Sequence, residues 1–383
     1  MTLTELFERR VLVCVGPGGV GKTTVAAALA LAAAESRRVA LITVDPAQRL
    51  ADVLGLGGLD DALRPVTIGS RQRTLSAAML DTGDSYDALI RRIATPERAA
   101  EILHNRVYRA FSRTLARSHA YIATERLYDM LSEDYDLIVL DTPPLRSALE
   151  ILDASSHLVD FLDDGVLQWF LNESTTRRAA TMTGAAALAL LERLTGATLV
   201  RELTGFLRLF AELREGFRER SLRVQEVLQA PDSGFLLVTS SSAESAEAAA
   251  GLREELEARS YAIEAVIVNR AYHEEPEAPL VPVIRPSAPS IPDGRARDDA
   301  SLPTRVAALR ARLSEENRAG QTALEAAGLR PSEAYLLPVL PQTLGTGAQL
   351  ERLVDAIVQK MPGYQTGLSD VPVPGDGRPP DLD

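Results

Sequence analysis

"VLVCVGPGGVGKTT", residues 11–24, begins as an unbroken apolar run, breaks into glycines and ends in Lys-Thr-Thr. Gly16, Gly21, Lys22 and Thr23 satisfy the spacing G-x-x-x-x-G-K-[ST], and "VAAALALAAA" follows as a run of strong helix formers. A buried strand, a glycine loop and a helix in that order make a phosphate loop. The glycines let backbone N–H groups wrap phosphates without side-chain interference, and the helix N-terminus turns its positive dipole end to the same place. Lys22 is placed to reach the β and γ phosphates and Thr23 to hold Mg²⁺. Gly16, Gly18, Gly19, Val20, Gly21, Lys22, Thr23 and Thr24 are therefore the candidate nucleotide contacts.

Working outward, further apolar runs recur at 10–15, 38–45, 134–141, 234–240, 264–270 and 334–340, with a weaker one at 74–81, and helical segments lie between them. These runs do not alternate, as strands buried on both faces of a parallel sheet require. The expected architecture is α/β, a doubly wound and mostly parallel sheet flanked by helices. Two of the runs end in carboxylates, Asp45 in "TVDPAQ" and Asp141 in "VLDTPP". An aspartate after a strand is by default a cap or turn former. On a sheet that also carries a phosphate loop, both become candidates for the hard oxygen ligands that Mg²⁺ and an attacking water require. Pro143 and Pro144 disfavour immediate helix, which leaves Asp141 in an expected loop.

The alternation breaks from about 145 to 230, where no strand-like run occurs. Leu199, Leu203, Phe206, Phe210, Leu213 and Phe217 there mark one face of a helix. That face is read either as packing against neighbouring helices or as a groove for a hydrophobic client. Met182 is the lone methionine of this segment, and Trp169 with Phe170 is a candidate cover for a groove. The expected organisation is a nucleotide-binding core over 1–144 and 231–362, an inserted α-helical subdomain over 145–230, a mobile proline-rich loop near 274–303 and a disordered tail over 363–383.

At 383 residues the chain exceeds the roughly 250–300 at which a single core stops growing. Its net charge of -12 argues against nucleic acid as a partner. Cys14 stands alone, so no intramolecular disulfide and no thiolate cluster from one chain can form, and a reducing cytoplasmic setting is expected. The opening "MTLTELFERR" lacks the apolar core of a secretion signal, and the four histidines show no metal-ligand spacing.

"GPGGVGKTT", "TVDPAQRLADVLG", "DTPPLRSALE", "VIVNRA" and "LPVLPQTLGTGAQLERL" occur in the order found in the arsenite-pump ATPase family, which includes the ATPases that deliver tail-anchored membrane proteins. The resemblance covers roughly residues 10–360. It implies a Mg-dependent ATPase that binds ATP and ADP as a dimer, with Asp45 positioning the attacking water and Asp141 in the second switch. It also implies that Asn269 and Pro338 contact adenine. An intact nucleotide site beside a large helical insertion leads to the reading that dimer closure binds or releases a protein partner, with a hydrophobic or membrane-protein client as a candidate. Three departures stand out. The first lysine of the family's loop, which reaches across the dimer, is replaced by Pro17. Residues 270–337 contain no cysteine, so the zinc clamp of some members is not expected. Arsenite activation needs converging thiolates, and Cys14 alone cannot supply them. Pro17 keeps a second reading open, a slow or non-hydrolysing subunit paired with a lysine-containing paralogue in a heterodimer. Arg49 and Arg146 are candidate replacement cations, with solvated surface arginines as the alternative.

Overall fold

The computed structural model describes residues 2–44, 48–68, 72–80, 82–109, 119–144, 149–150, 152–153, 193, 198, 202–203, 205–206, 213–271, 301–326, 328, 334–338 and 346–360. Its centre is an eight-stranded sheet in the order β3-β4-β2-β5-β1-β6-β7-β8. The strands are β1 (Val11–Val15), β2 (Val39–Thr43), β3 (Arg64–Ile68), β4 (Arg73–Met79), β5 (Leu137–Asp141), β6 (Ser233–Ser240), β7 (Ile263–Ala271) and β8 (Ala334–Pro338). All neighbours pair in parallel except β3 and β4.

Every residue of β1, β2 and β5 is buried. Their side chains divide between two layers by the period of two that a pleated strand imposes. Leu12, Cys14, Leu41 and Val139 face one core, while Val11, Val13, Ala40, Ile42, Ile138 and Leu140 face the other. The first core is closed by α1 (Leu3–Phe7), α2 (Lys22–Ala33), α3 (Arg49–Leu54) and, near the C-terminal end of the chain, a helix over Thr346–Lys360. The second is closed by helices over His119–Leu131, Arg214–Gln229, Ala243–Ala258 and Ser301–Ala326. In chain order, after α4 (Thr82–Ile93) and α5 (Pro96–His104), these are α6, α7, α8 and α9, and the Thr346–Lys360 helix is α10. The opening segment forms α1, where Thr2 and Glu5 make a reciprocal capping box and Leu3, Leu6 and Phe7 are buried.

β3, "RPVTI", is an edge strand absent from the sequence reading. It pairs antiparallel with β4 and buries only Val66 and Ile68, and Pro65 is tolerated at such an edge. A third, smaller cluster joins α4 and α5 to Ile122, Phe206, Leu213 and Phe217. Phe206, Leu213 and Phe217 of the apolar stripe noted in the sequence are buried, but they do not share one helix: Leu213 is a turn residue capping a helix that begins at Arg214 and carries Phe217. Leu199 and Phe210 of that stripe, with Trp169, Phe170 and Met182, lie outside the described residues. So do the tail 363–383 and the proline-rich segment as far as residue 300. Residues 301–303, assigned to that loop from sequence, instead form the first turn of α9, where Pro303 needs no intrahelical partner for its missing N–H.

Candidate functional site

β1 lies at the middle of the sheet between β5 and β6, so its C-terminal end opens where three parallel strands deliver their carboxyl ends. Doubly wound sheets bind ligands at that edge. The loop from Gly16 to Gly21 leaves β1 there, and α2 begins at Lys22 with Gly21 as its N-cap.

Two positions in this loop require glycine for different reasons. Gly16 has φ +153°, and a Cβ on it would lie 2.0 Å from the Val238 carbonyl oxygen of β6. Gly21 has φ +91°, and a Cβ there would lie 2.4 Å from Asn269 Nδ2. The loop is thus pressed between the ends of β6 and β7. Lys22 is largely buried, and its Nζ donates to the carbonyls of Gly16 at 3.0 Å and Pro17 at 2.8 Å. The ammonium is thereby folded over the turn it follows.

Beside the loop is a cavity of about 390 Å³ lined by Gly19, Gly21, Lys22, Thr23, Thr24, Arg49, Asp52, Val53, Thr142, Pro144 and Arg270. Its size lies within the roughly 300–1,000 Å³ of small-molecule sites. Three cations face one carboxylate among these lining residues, so the cavity favours an anion. A glycine cradle that admits no Cβ, a lysine over the turn and two hydroxyl-bearing residues opening α2 fit the phosphate chain of a nucleotide. Thr23 lines this cavity, whereas Asp141 is fully buried and is not among the residues that line it.

Asp141 is fully buried and is the last residue of β5, not the loop residue expected from Pro143 and Pro144; the prolines act one step later, and residues 142–144 are non-helical. Its position follows from register, since Asp141 pairs with Cys14 of β1 and Thr43 of β2. Thr43 Oγ1 donates to Asp141 Oδ2 at 2.9 Å, and Thr142 Oγ1 donates to the Cys14 carbonyl at 2.7 Å. The Asp141–Thr142 segment is therefore bonded to the strands on both its sides. Burial, reinforced by the Asp141 charge, pushes the Cys14 thiol well above its ordinary range, with Lys22 opposing. Cys14 is accordingly a core thiol.

Asn269 and Pro338 stand near the ends of β7 and β8, where Ala271 pairs with Pro338. Asn269 is buried and its Nδ2 donates to the Val20 carbonyl at 2.8 Å, so it touches the phosphate loop itself. Val20 is buried beneath that contact. Gly18 lies beside Pro144, whose Cβ is 3.7 Å from where a Cβ on Gly18 would stand. Arg49 lines the cavity, whereas Asp45 and Arg146 lie outside the described residues. Arg270 lines the cavity and went unremarked in the sequence, although it directly follows a candidate site residue. Among the described residues, no group of three or more His, Cys, Asp or Glu gathers as a metal site, and no helix is long and apolar enough to cross a membrane.

Comparison with known proteins places the chain among ATPases by sequence similarity. A Halobacterium salinarum protein bearing the name arsenical pump-driving ATPase is 29% identical over 178 residues, which is 43% of this chain and 27% of that protein. A Leishmania braziliensis ATPase ASNA1 homolog is 29% identical over 184 residues, covering 39% of this chain and 45% of the relative. The Leishmania infantum ATPase ASNA1 homolog is 27% identical over the same length. The chain thus spans less than half the length of these curated relatives. The family model of the anion-transporting ATPases matches residues 9–282, from the approach to β1 through the loop, Asp141 and Asn269. With that match across most of its length, the chain belongs to the anion-transporting ATPase family.

Proposed function

We propose that the protein is a Mg-dependent ATPase, in which nucleotide bound at the loop after β1 governs closure of a dimer and thereby the binding or release of a protein partner. The observation that carries the nucleotide reading is the cradle of Gly16, Gly21 and Lys22 opening on an anion-favouring cavity. Lys22 would exchange the carbonyls of Gly16 and Pro17 for phosphate oxygens. Backbone N–H groups of the loop would hold the remaining charge. Mg²⁺, when bound with the nucleotide at Thr23 and Asp141, supplies neutralisation of charge on the β and γ phosphates. Thr43 holds the Asp141 carboxylate in place from the adjacent strand. Asp45, from the family resemblance, positions the attacking water. Asn269 and Pro338, from the same resemblance, contact adenine. The dimer also rests on the resemblance, the protein partner has a hydrophobic or membrane-protein client as its candidate, and a cytoplasmic location accords with both.

The test is phosphate release and ATP binding by the purified chain with Mg²⁺. Lys22→Ala should abolish binding, and Asp45→Asn should keep binding while removing turnover. Turnover at the wild-type level in Asp45→Asn would falsify the role of that carboxylate.

Pro17 favours a second reading, in which the chain is a slow nucleotide-binding subunit completed by a lysine-containing paralogue. A charge supplied in trans to a phosphoryl-transfer transition state can be worth several orders of magnitude in rate. Two identical copies of this chain cannot exchange a lysine from position 17. Hydrolysis by the isolated chain at the rate of lysine-containing relatives would exclude this reading.

A further inference from the structure

Arg270 occupies a backbone conformation that an L side chain rarely adopts, with φ +57°, at an interruption of the β7–β8 ladder between Val268 and Ala271. In a regular strand successive side chains point to opposite faces. Here the irregularity sends two consecutive side chains to one place, Asn269 to the Val20 carbonyl and Arg270 Nη1 to the Gly19 carbonyl at 3.3 Å. Ladder irregularities of this kind commonly re-aim a side chain beside a site, and strained backbone of this kind clusters at ligand clamps. The Gly19 contact is long and made by an exposed guanidinium, so most of its five N–H donors remain for another acceptor.

We propose that Arg270 is a phosphate-binding residue, which leaves the Gly19 carbonyl for the phosphate chain of the nucleotide and supplies from the same chain a cation beside the phosphate loop. The assignment rests on the nucleotide reading above. Arg270 lines the same cavity as Lys22 and Arg49. A planar guanidinium matches a phosphate with two parallel hydrogen bonds, which a lysine at the same position cannot make.

Arg270→Gly separates this role from a structural one, because glycine accepts the left-handed backbone while the guanidinium and its stem are removed. The measurements are binding of ATP and of inorganic tripolyphosphate, together with the melting temperature of the nucleotide-free protein. The expected result is a loss of about tenfold in affinity for both ligands, with the nucleotide-free melting temperature unchanged or raised. Arg270→Lys should recover part of the lost affinity. Wild-type affinity of Arg270→Gly for tripolyphosphate, or a loss confined to ATP, would overturn the assignment, the latter placing Arg270 on the nucleoside. Failure of the wild-type chain to bind either ligand would instead overturn the nucleotide reading, and this assignment with it.

Discussion

Asn269 Nδ2 donates a 2.8 Å hydrogen bond to the Val20 carbonyl, tying the last turns of β7 to a loop 249 residues earlier in the chain. The bond is buried, so its loss leaves the Val20 carbonyl without a replacement from solvent. Asn269→Ala should therefore loosen the loop by about 1–3 kcal/mol. Faster amide hydrogen exchange confined to residues around 16–24 is the expected readout. Asn269→Asp should weaken nucleotide binding more than Asn269→Ala, because a carboxylate cannot donate to the carbonyl and adds negative charge beside the phosphates. Equal affinities for the two variants would contradict that electrostatic argument.

The loop glycines should differ sharply in their tolerance of alanine. Gly16→Ala places a Cβ 2.0 Å from the Val238 oxygen, which is backbone of a central strand and cannot yield. Gly18 has ordinary space around it, its nearest neighbour being Pro144 Cβ at 3.7 Å from an added Cβ. Gly16→Ala should lose nucleotide binding and several kcal/mol of stability, of order 3 or more by analogy with overpacked cores. Gly18→Ala should stay within about 1 kcal/mol of wild type. Thermal melting and nucleotide titration of the pair provide the comparison, and a tolerated Gly16→Ala would mean that the end of β6 shifts away.

The parts of this fold that were legible in the sequence are those whose physics is local. β1, β2 and β5 announce themselves because burial on both faces demands uninterrupted apolar runs, and the glycine loop with Lys22 announces itself by spacing. β3 escaped because an edge strand buries only alternate residues, and Val66 and Ile68 between exposed neighbours carry little signal. Arg270 escaped for a different reason. Its reach into the cavity depends on a positive φ and a break in the β7–β8 register, neither of which an arginine after an asparagine reveals. Asp141 was identified as a strand-end carboxylate, but its donor Thr43 lies two strands of chain away and becomes its neighbour only through sheet order.

Cys14 and Tyr261 make the stability of the fold sensitive to alkaline pH. Burial, with the Asp141 charge beside it, raises the Cys14 thiol, and burial with Asp153 nearby raises the Tyr261 hydroxyl to about 12, with Arg259 opposing. Both groups are neutral in the folded chain and would ionise on unfolding, near roughly 8.5 for a thiol and 10 for a phenol. Their contribution to stability is complete below those values and is lost as pH rises through them. Urea unfolding should show stability falling above about pH 8.5, by at most about 1.4 kcal/mol per pH unit for each group. Cys14→Ala should remove the first part of that slope. In the native state Cys14 should resist thiol reagents at mildly alkaline pH and react once urea unfolds the chain.

A partly buried cluster of charge joins α7 to α6. Arg220 donates to Glu125 at 2.5 Å and Asp129 at 2.7 Å, and its guanidinium carbon lies 4.0 Å from the centre of the Tyr128 ring. Arg92 reaches the same two carboxylates from α4. Glu125 is only 2% exposed, so removing its arginine leaves a charge that water cannot solvate. Arg220→Met should cost about 3 kcal/mol, the lower end of what breaking a buried pair costs, since Arg92 remains beside the carboxylates. Glu125→Gln in the Arg220→Met background should restore part of that loss, because it removes the stranded charge. Urea midpoints of the two single variants and the double variant measure this coupling. Simple additivity would show that Arg92 already compensates Glu125 fully, and would reduce the Arg220 contacts to a surface ornament of α7.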